Sequence, residues 1–263
     1  MRSKFKLFLF IFSGAALAFT GCRKLSDPTL KDPVLTPQVV AGQVALNLNQ
    51  SLFGGLGAFD VSVGLNAPSS VAVNTGGRSL HRSVLQKRVL QGLTNPYCGL
   101  TIDTTVNYTS TVHDTTASVS GTIQFAFTCN NSVVNGYTTN DNLSILFSSP
   151  QLALTYKVAE NLTLLSLDPT NPNSNFTLSG TLNSNGSYQF KTGSQRGGTQ
   201  IFNYTLTNVV YDPVAGDIVS GSGSFITSGS GPQGLWSYQG TITFLGNHSA
   251  TVTIGGKSYN VTV

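Results

Sequence analysis

Alternation of apolar and polar residues between Cys98 and Val263 constrains the fold more than any other feature of this sequence. About ten stretches alternate in this way, and turn-forming Gly, Asn, Asp, Ser and Pro separate them. No long helical pattern intervenes, which argues against a parallel α/β fold. The pattern predicts an all-β domain, an antiparallel meander of about ten strands. With one face apolar and one rich in Ser and Thr, the strands form either a two-sheet sandwich or one curled sheet.

The C-terminal end gives the clearest example of the alternation. One face carries Trp236, Tyr238, Ile242 and Phe244, and the other carries Ser237, Gln239, Thr241 and Thr243. Gly255 and Gly256 are predicted to form a two-residue hairpin turn, because glycine adopts positive φ readily. In that register Val252 lies opposite Tyr259 on the same face.

A Gly-Thr-aliphatic tripeptide occurs three times, beginning at Gly121, Gly180 and Gly240. The spacing is uneven, which argues against a solenoid or propeller repeat. We expect these glycines where a strand bends or where an aromatic ring covers the backbone.

The N-terminus has the pattern of a secretory signal. Residues 7–19 are almost wholly apolar, shorter than the about 20 residues that span a membrane but typical of a signal-peptide core. Phe19-Thr20-Gly21-Cys22 follows and resembles the bacterial lipobox, in which the cysteine receives diacylglycerol. We predict a signal peptide at residues 1–21 and lipidation of Cys22, so that the membrane is a partner through this anchor. An ordinary signal peptide followed by a chance cysteine is the alternative.

Two irregular regions precede the strands. Residues 22–50 are predicted to hold a proline-containing tether and a short helix near residues 38–53. The expected core contacts of this helix are Val39, Val40, Val44, Leu46 and Leu52. Residues 51–263 form the single all-β domain, which includes a basic excursion at residues 66–95. That excursion is interpreted as an irregular segment or a helix covering a sheet edge; the alternative is an amphipathic patch that touches anionic lipid or glycan.

Cys98 and Cys129 remain as an even pair once Cys22 is set aside. Outside the cytosol such a pair favours a disulfide. Each cysteine shares the apolar side of an alternating stretch, so we expect a buried disulfide that joins two neighbouring strands. Two reduced, buried thiols are the alternative, and two cysteines without a histidine cluster make a weak metal site.

Charge argues against a nucleic-acid partner. The chain has 14 basic and 10 acidic residues, but cleavage would remove Arg2, Lys4 and Lys6 and leave 11 against 10. Only 9% of residues are charged, well below the typical ~25%. The polar surface is therefore Ser, Thr, Asn and Gln, as in a neutral extracytoplasmic β-protein.

The sequence offers few residues suited to catalysis. Apart from Glu160, the acidic residues are nine Asp that lie singly in predicted turns and linker. Asp168 and Asp212 each precede a proline, which is a common turn role. The three histidines, His81, His113 and His248, are isolated and are interpreted as solvated loop residues. No nucleophile elbow, phosphate loop or zinc-protease motif is present. We expect no enzyme activity, no cofactor and no metal site.

Several stretches resemble an uncharacterised outer-membrane lipoprotein family of Bacteroidota. These are the lipobox and residues 98–105, 240–247 and 255–261. No site residues come with that resemblance. Asp103-Thr104-Thr105 and Asp114-Thr115-Thr116 are similar to the O-glycosylation acceptor of those bacteria. Thr104 is predicted on the apolar face, so Thr115, placed in the turn, is the candidate. Arg23 and Lys24 stand where a surface-export signal would have acidic residues, which favours the periplasmic face of the outer membrane.

Two functional hypotheses follow. The first is a non-enzymatic cell-envelope lipoprotein whose β-domain binds a lipid, glycan or protein. The alternative is a glycan-directed hydrolase of the envelope, which would need two carboxylates about 5–10 Å apart in a cleft.

Overall fold

The computed structural model describes residues 35–52 and 98–263, except Pro172, Ser194 and Gln233. The predicted signal peptide, Cys22, the tether up to residue 34 and the basic excursion at 66–95 lie outside the described residues.

The strands pair strictly in sequence order. Helix α1 spans Pro37–Leu52, and it is followed by β1 Thr101–Val112, β2 Thr115–Asn130, β3 Val133–Ser148, β4 Leu152–Ser166, β5 Phe176–Phe190, β6 Gly197–Asp212, β7 Asp217–Gly231, β8 Gly234–Gly246, β9 Ser249–Ile254 and β10 Lys257–Thr262. All ten strands form one sheet in the order β1 to β10, and every pair is antiparallel. The predicted antiparallel meander is confirmed.

The sheet is single and open, with β1 and β10 at its edges. Buried side chains from β2 through β9 and from α1 belong to one apolar cluster. The sheet therefore curls around the helix, and of the two predicted arrangements the curled sheet is present and the two-sheet sandwich is not.

The structure confirms the predicted turn at Gly255-Gly256 and the predicted roles of the repeated glycines. Gly255 and Gly256 have φ of 57° and 79°, and Tyr259 pairs with Val252 as predicted. A Cβ at Gly121 or Gly180 would overlap the carbonyl oxygen of the neighbouring strand, and both residues have φ near 140°. The ring of Phe225 covers Gly240. The repeated glycines thus mark close backbone approach and aromatic cover.

Helix α1 begins at a threonine cap. The Thr36 side chain accepts a hydrogen bond from the backbone of Val39 at 3.4 Å, and Pro37 occupies the first helical position, where its missing N–H costs nothing. The predicted bounds of 38–53 differ by one residue at each end.

One face of α1 is buried at every fourth residue, namely Val40, Val44, Leu48 and Leu52. Val39 and Leu46 were predicted as core contacts, and both predictions are wrong: their side chains are 49% and 37% exposed. They fall outside the four-residue stripe that faces the sheet.

The helix lies in the concave face of the sheet, which is the side that carries the apolar cluster. It packs against β9 and β10. From other strands, the hydroxyl of Tyr204 donates to the carbonyl of Val44 at 3.0 Å, and that of Tyr238 donates to the carbonyl of Leu35 at 2.6 Å. These long side chains connect the body of the sheet to the helix.

Within residues 35–52 and 98–263, no helix is long and apolar enough to cross a membrane.

Candidate functional site

Two carboxyl groups lie side by side in the concave face. Asp141 of β3 and Glu160 of β4 are direct cross-strand partners, and they are only 2% and 1% exposed. Each occupies an inward position of its strand, like Leu143 on β3 and Leu162 on β4. The sheet register therefore brings together two acidic residues that are 19 positions apart in the sequence.

Most of the oxygen atoms of this pair have no hydrogen-bond partner. This holds for one carboxyl oxygen of Asp141 and for both carboxyl oxygens of Glu160. Desolvation raises the pKa of Asp141 to about 6. Hydrogen bonds from the Thr139 side chain and the Gln124 backbone lower this pKa, but by less than desolvation raises it. Desolvation, and then the charge of Asp141, raise the pKa of Glu160 well above its usual value. Burial therefore favours the protonated, neutral form of Glu160 over its carboxylate.

Polar groups from α1, β4 and β5 continue the site. The side-chain amide of Asn47 donates to the Tyr156 hydroxyl at 2.9 Å, and the Ser184 hydroxyl donates to Asn47 at 3.4 Å. Burial raises the pKa of Tyr156, and the charge of Glu160 adds to this. We call Asn47, Asp141, Tyr156, Glu160 and Ser184 the interior polar strip.

Sequence reasoning missed this strip. Asp141 was assigned with the other aspartates to turns and linker, and that prediction is wrong because it lies within β3. The available signal was its place in the alternation: Tyr137, Asp141 and Leu143 share one side of the strand. An acidic residue at an apolar position of an alternating strand is buried, whichever residue lies beside it.

Asp103 lies within β1, where it pairs with Gln124, so its predicted place in a turn or linker is also wrong. Several other titratable residues lie at turns. Asp168 accepts from Thr170, and Asp212 accepts from the backbones of Val214 and Ala215, so their predicted turn roles are confirmed. His248 is 62% exposed in the β8–β9 turn, with its Nδ1 3.3 Å from Asp217.

His113 has φ of 53° in the β1–β2 turn. His81 lies outside the described residues. Among the residues that the structure covers, no group of three or more His, Cys, Asp or Glu is placed to hold a metal ion.

The predicted disulfide between Cys98 and Cys129 is present, with a sulfur–sulfur distance of 2.05 Å. Its predicted burial is wrong. Cys98 is exposed and Cys129 is half-buried, because β1 begins only at Thr101 and leaves Cys98 in a turn.

Thr115 is the first residue of β2, where it pairs with Val112 and is half-buried. Its predicted place in the turn is therefore wrong, since the turn consists of His113 and Asp114. Thr104 pairs with buried Ile123 and so lies on the apolar face, as predicted, although its own side chain is exposed on the edge strand β1.

A shallow depression of about 320 Å³ lies on the opposite, convex face of the sheet. Thr155, Ser187, Thr199 and Ser230 line it, and they are successive register partners on β4 to β7. Their hydroxyl groups carry no charge, and strand pleating separates them from the interior polar strip.

Comparison with known proteins found no matching family model, no matching curated protein and no matching solved structure.

Proposed function

We propose that this chain is a cell-envelope lipoprotein, anchored through Cys22, whose β-domain binds an amphipathic, lipid-like ligand in the concave face without catalysing a reaction. The observation that carries this proposal is the interior polar strip: unpartnered carboxyl oxygens within an otherwise apolar surface. Such a surface complements a molecule with an apolar body and a few hydrogen-bond donors.

The unpartnered oxygens give the ligand a source of binding free energy. A buried polar group without a partner costs about 1–3 kcal/mol. A ligand hydroxyl or amine that donates to Glu160 and Asp141 removes this cost. The flanking side chains of Ile123 and Leu182, which pair with Asp141 and Glu160 respectively, are apolar and suit an acyl chain.

A single helix occupies the concave face in the described structure. Within the interior polar strip, Asn47 is the one helix residue whose side chain forms hydrogen bonds with the sheet. Displacement of α1 would expose both the strip and the apolar cluster, so we propose that the ligand takes the place of part of this helix.

Native mass spectrometry of the chain extracted from its own envelope in mild detergent tests this function. We expect an added mass of lipid size, lost in Glu160→Leu but kept in Ser187→Ala, the matched variant in the convex depression. Loss in Ser187→Ala alone would place the ligand on the convex face. A bare protein mass in both would refute ligand binding, and an added mass of sugar or protein size would change the ligand class. The same spectra report the diacylglycerol on Cys22.

A second candidate, a glycan-directed hydrolase, is favoured by the pairing of the two carboxyl groups. Directly opposed strand residues have Cα atoms about 4.5–5.5 Å apart. The near-complete burial of both carboxyl groups argues against a hydrolase, because a glycosidase needs room beside both groups for a sugar chain and a water molecule, whereas a lipid-like ligand needs only the space of part of α1. Glycan release that disappears in both Asp141→Asn and Glu160→Gln but persists in Asp103→Asn would establish the hydrolase, and absence of release would exclude it.

A further inference from the structure

Charge is segregated between the two ends of the strands. The β5–β6 turn carries Lys191 and Arg196, and β10 begins at the same end with Lys257. We call this the basic end. The opposite end carries Asp168, Asp212 and Asp217, and among the described residues it has no Lys or Arg in its turns. One acidic residue, Asp114, shares the basic end, but it lies at the far edge of the sheet in the β1–β2 turn.

The basic end also presents apolar side chains to solvent. Leu235, the second residue of β8, is 89% exposed and is the most exposed large apolar side chain described. Half-buried Trp236 follows it. Adjacent strands are about 4.8 Å apart, so Lys257, which begins β10 two strands from β8, lies about 10 Å from β8 across the sheet. Lys191 lies on the other side of β8 and further away, because its ammonium group donates to the Ser148 hydroxyl at the end of β3 at 2.7 Å.

The chain enters the described structure close to this end. The carbonyl of Leu35 accepts a hydrogen bond from Tyr238, and the rings of Tyr238 and Trp236 lie 6.4 Å apart. Residues 22–34 span at most about 45 Å when fully extended. The proposed lipid at Cys22 therefore holds the basic end, rather than the acidic end, nearest to the membrane.

We propose that the basic end docks on a membrane surface rich in anionic phospholipid, with Leu235 and Trp236 inserted among the headgroups and Lys191 and Lys257 beside lipid phosphates. Apolar side chains flanked by cations are the combination that binds such interfaces. The orientation rests on the proposed lipid anchor, whereas the surface itself is a property of the described residues. The acidic end then points away from the membrane.

Trp236 is the only tryptophan in the chain, so its fluorescence reports this contact directly. The full-length lipidated protein is reconstituted into vesicles of phosphatidylethanolamine and phosphatidylglycerol, with and without brominated acyl chains. We expect brominated lipid to quench Trp236. Unquenched emission overturns the proposal.

Variants separate docking from simple tethering. Leu235→Asp is expected to abolish the quenching, and the pair Lys191→Glu and Lys257→Glu to lower vesicle affinity of a Cys22→Ser chain by about tenfold or more. Val214→Asp is the control, since Val214 is 72% exposed in a turn at the acidic end. Equal effects of the Leu235 and Val214 changes, or affinity indifferent to phosphatidylglycerol, would count against the proposal.

The same experiment distinguishes this proposal from the proposed function. If the mass shows no lipid on Cys22 but Trp236 is still quenched in anionic vesicles, the proposed lipid anchor is wrong and the proposed docking surface stands. If Cys22 carries lipid but Trp236 is not quenched, the proposed lipid anchor stands and the proposed docking surface is wrong.

Discussion

Glu160 shows how one side chain sets the pH response of the whole domain. Its carboxyl group is buried without a hydrogen-bond donor, so the folded chain keeps it protonated while the unfolded chain releases the proton. In the pH range where this difference exists, the folded state binds more protons, and stability falls as pH rises. Asp141 adds to the effect from a pKa of about 6, raised from 3.8.

We therefore expect the domain to be more stable at mildly acidic than at neutral pH. Between pH 3.8 and about 6, Asp141 alone lowers the free energy of unfolding by about 3 kcal/mol, and Glu160 extends the loss to higher pH. Thermal unfolding followed by circular dichroism across pH measures this. Asp141→Asn with Glu160→Gln is expected to flatten the profile and raise the melting temperature at neutral pH, whereas exposed Asp103→Asn leaves it unchanged. Superimposable profiles for all three proteins would contradict the assignment.

Gly121 gives a second prediction at this scale. Its φ of 147° and the nearby Asn142 carbonyl leave no place for a Cβ. Gly121→Ala is expected to cost about 2 kcal/mol or more in denaturant unfolding. Gly42→Ala is the matched control, because Gly42 lies in open space within α1 and alanine there is expected to stabilise the helix by about 1 kcal/mol. A harmless Gly121→Ala would show that strands β2 and β3 have room to separate.

Among the elements, helix α1 was predictable in position but not in orientation. Thr36 and Pro37 mark its start, yet its apolar residues are spread around much of its circumference. Only the curvature of the sheet decides that Val40 and Val44 face inward while Val39 does not. The interior polar strip was not predicted, for a related reason. Alternation shows that Asp141 and Glu160 point inward, but only the register of β3 and β4 makes them neighbours.

Two leucines of α1 test the orientation of the helix. Leu48 is 1% exposed and Leu46 is 37% exposed, although they are two residues apart. Leu48→Ala is expected to lower the free energy of unfolding by about 2–5 kcal/mol, and Leu46→Ala by less than about 1 kcal/mol. Urea denaturation measures both. Equal losses would mean that the helix is rotated about its axis or detached from the sheet.

For the molecule as a whole, strand order was the most predictable property. Short turns such as Gly255-Gly256 pair neighbouring strands, and all ten follow that rule. The choice between a sandwich and a curled sheet was not predictable, because alternation identifies the apolar face but not its cover. The weakly patterned helix supplies that cover.

The disulfide connects the edge of the sheet to its body. It closes a loop with a sequence separation of 31 residues, so Cys98→Ser with Cys129→Ser is expected to lower the free energy of unfolding by about 3–4 kcal/mol. Thermal unfolding with and without reductant measures this in the unmodified chain, and intact mass reports the bond as a loss of two hydrogens. A melting temperature insensitive to reductant would show that β1 adds little to the stability of the domain.

The order of pairing also determines how the chain can fold as it is made. Each strand pairs with the strand synthesised just before it, so the sheet can grow one hairpin at a time without waiting for distant partners. Helix α1 is the exception: it is the first described element to emerge, yet it packs against β9 and β10, which emerge last. Strands β4 to β6 can cover part of its apolar face earlier, but that face is complete only when the last two strands are in place, so the docking of α1 is the step that must wait for the end of the chain.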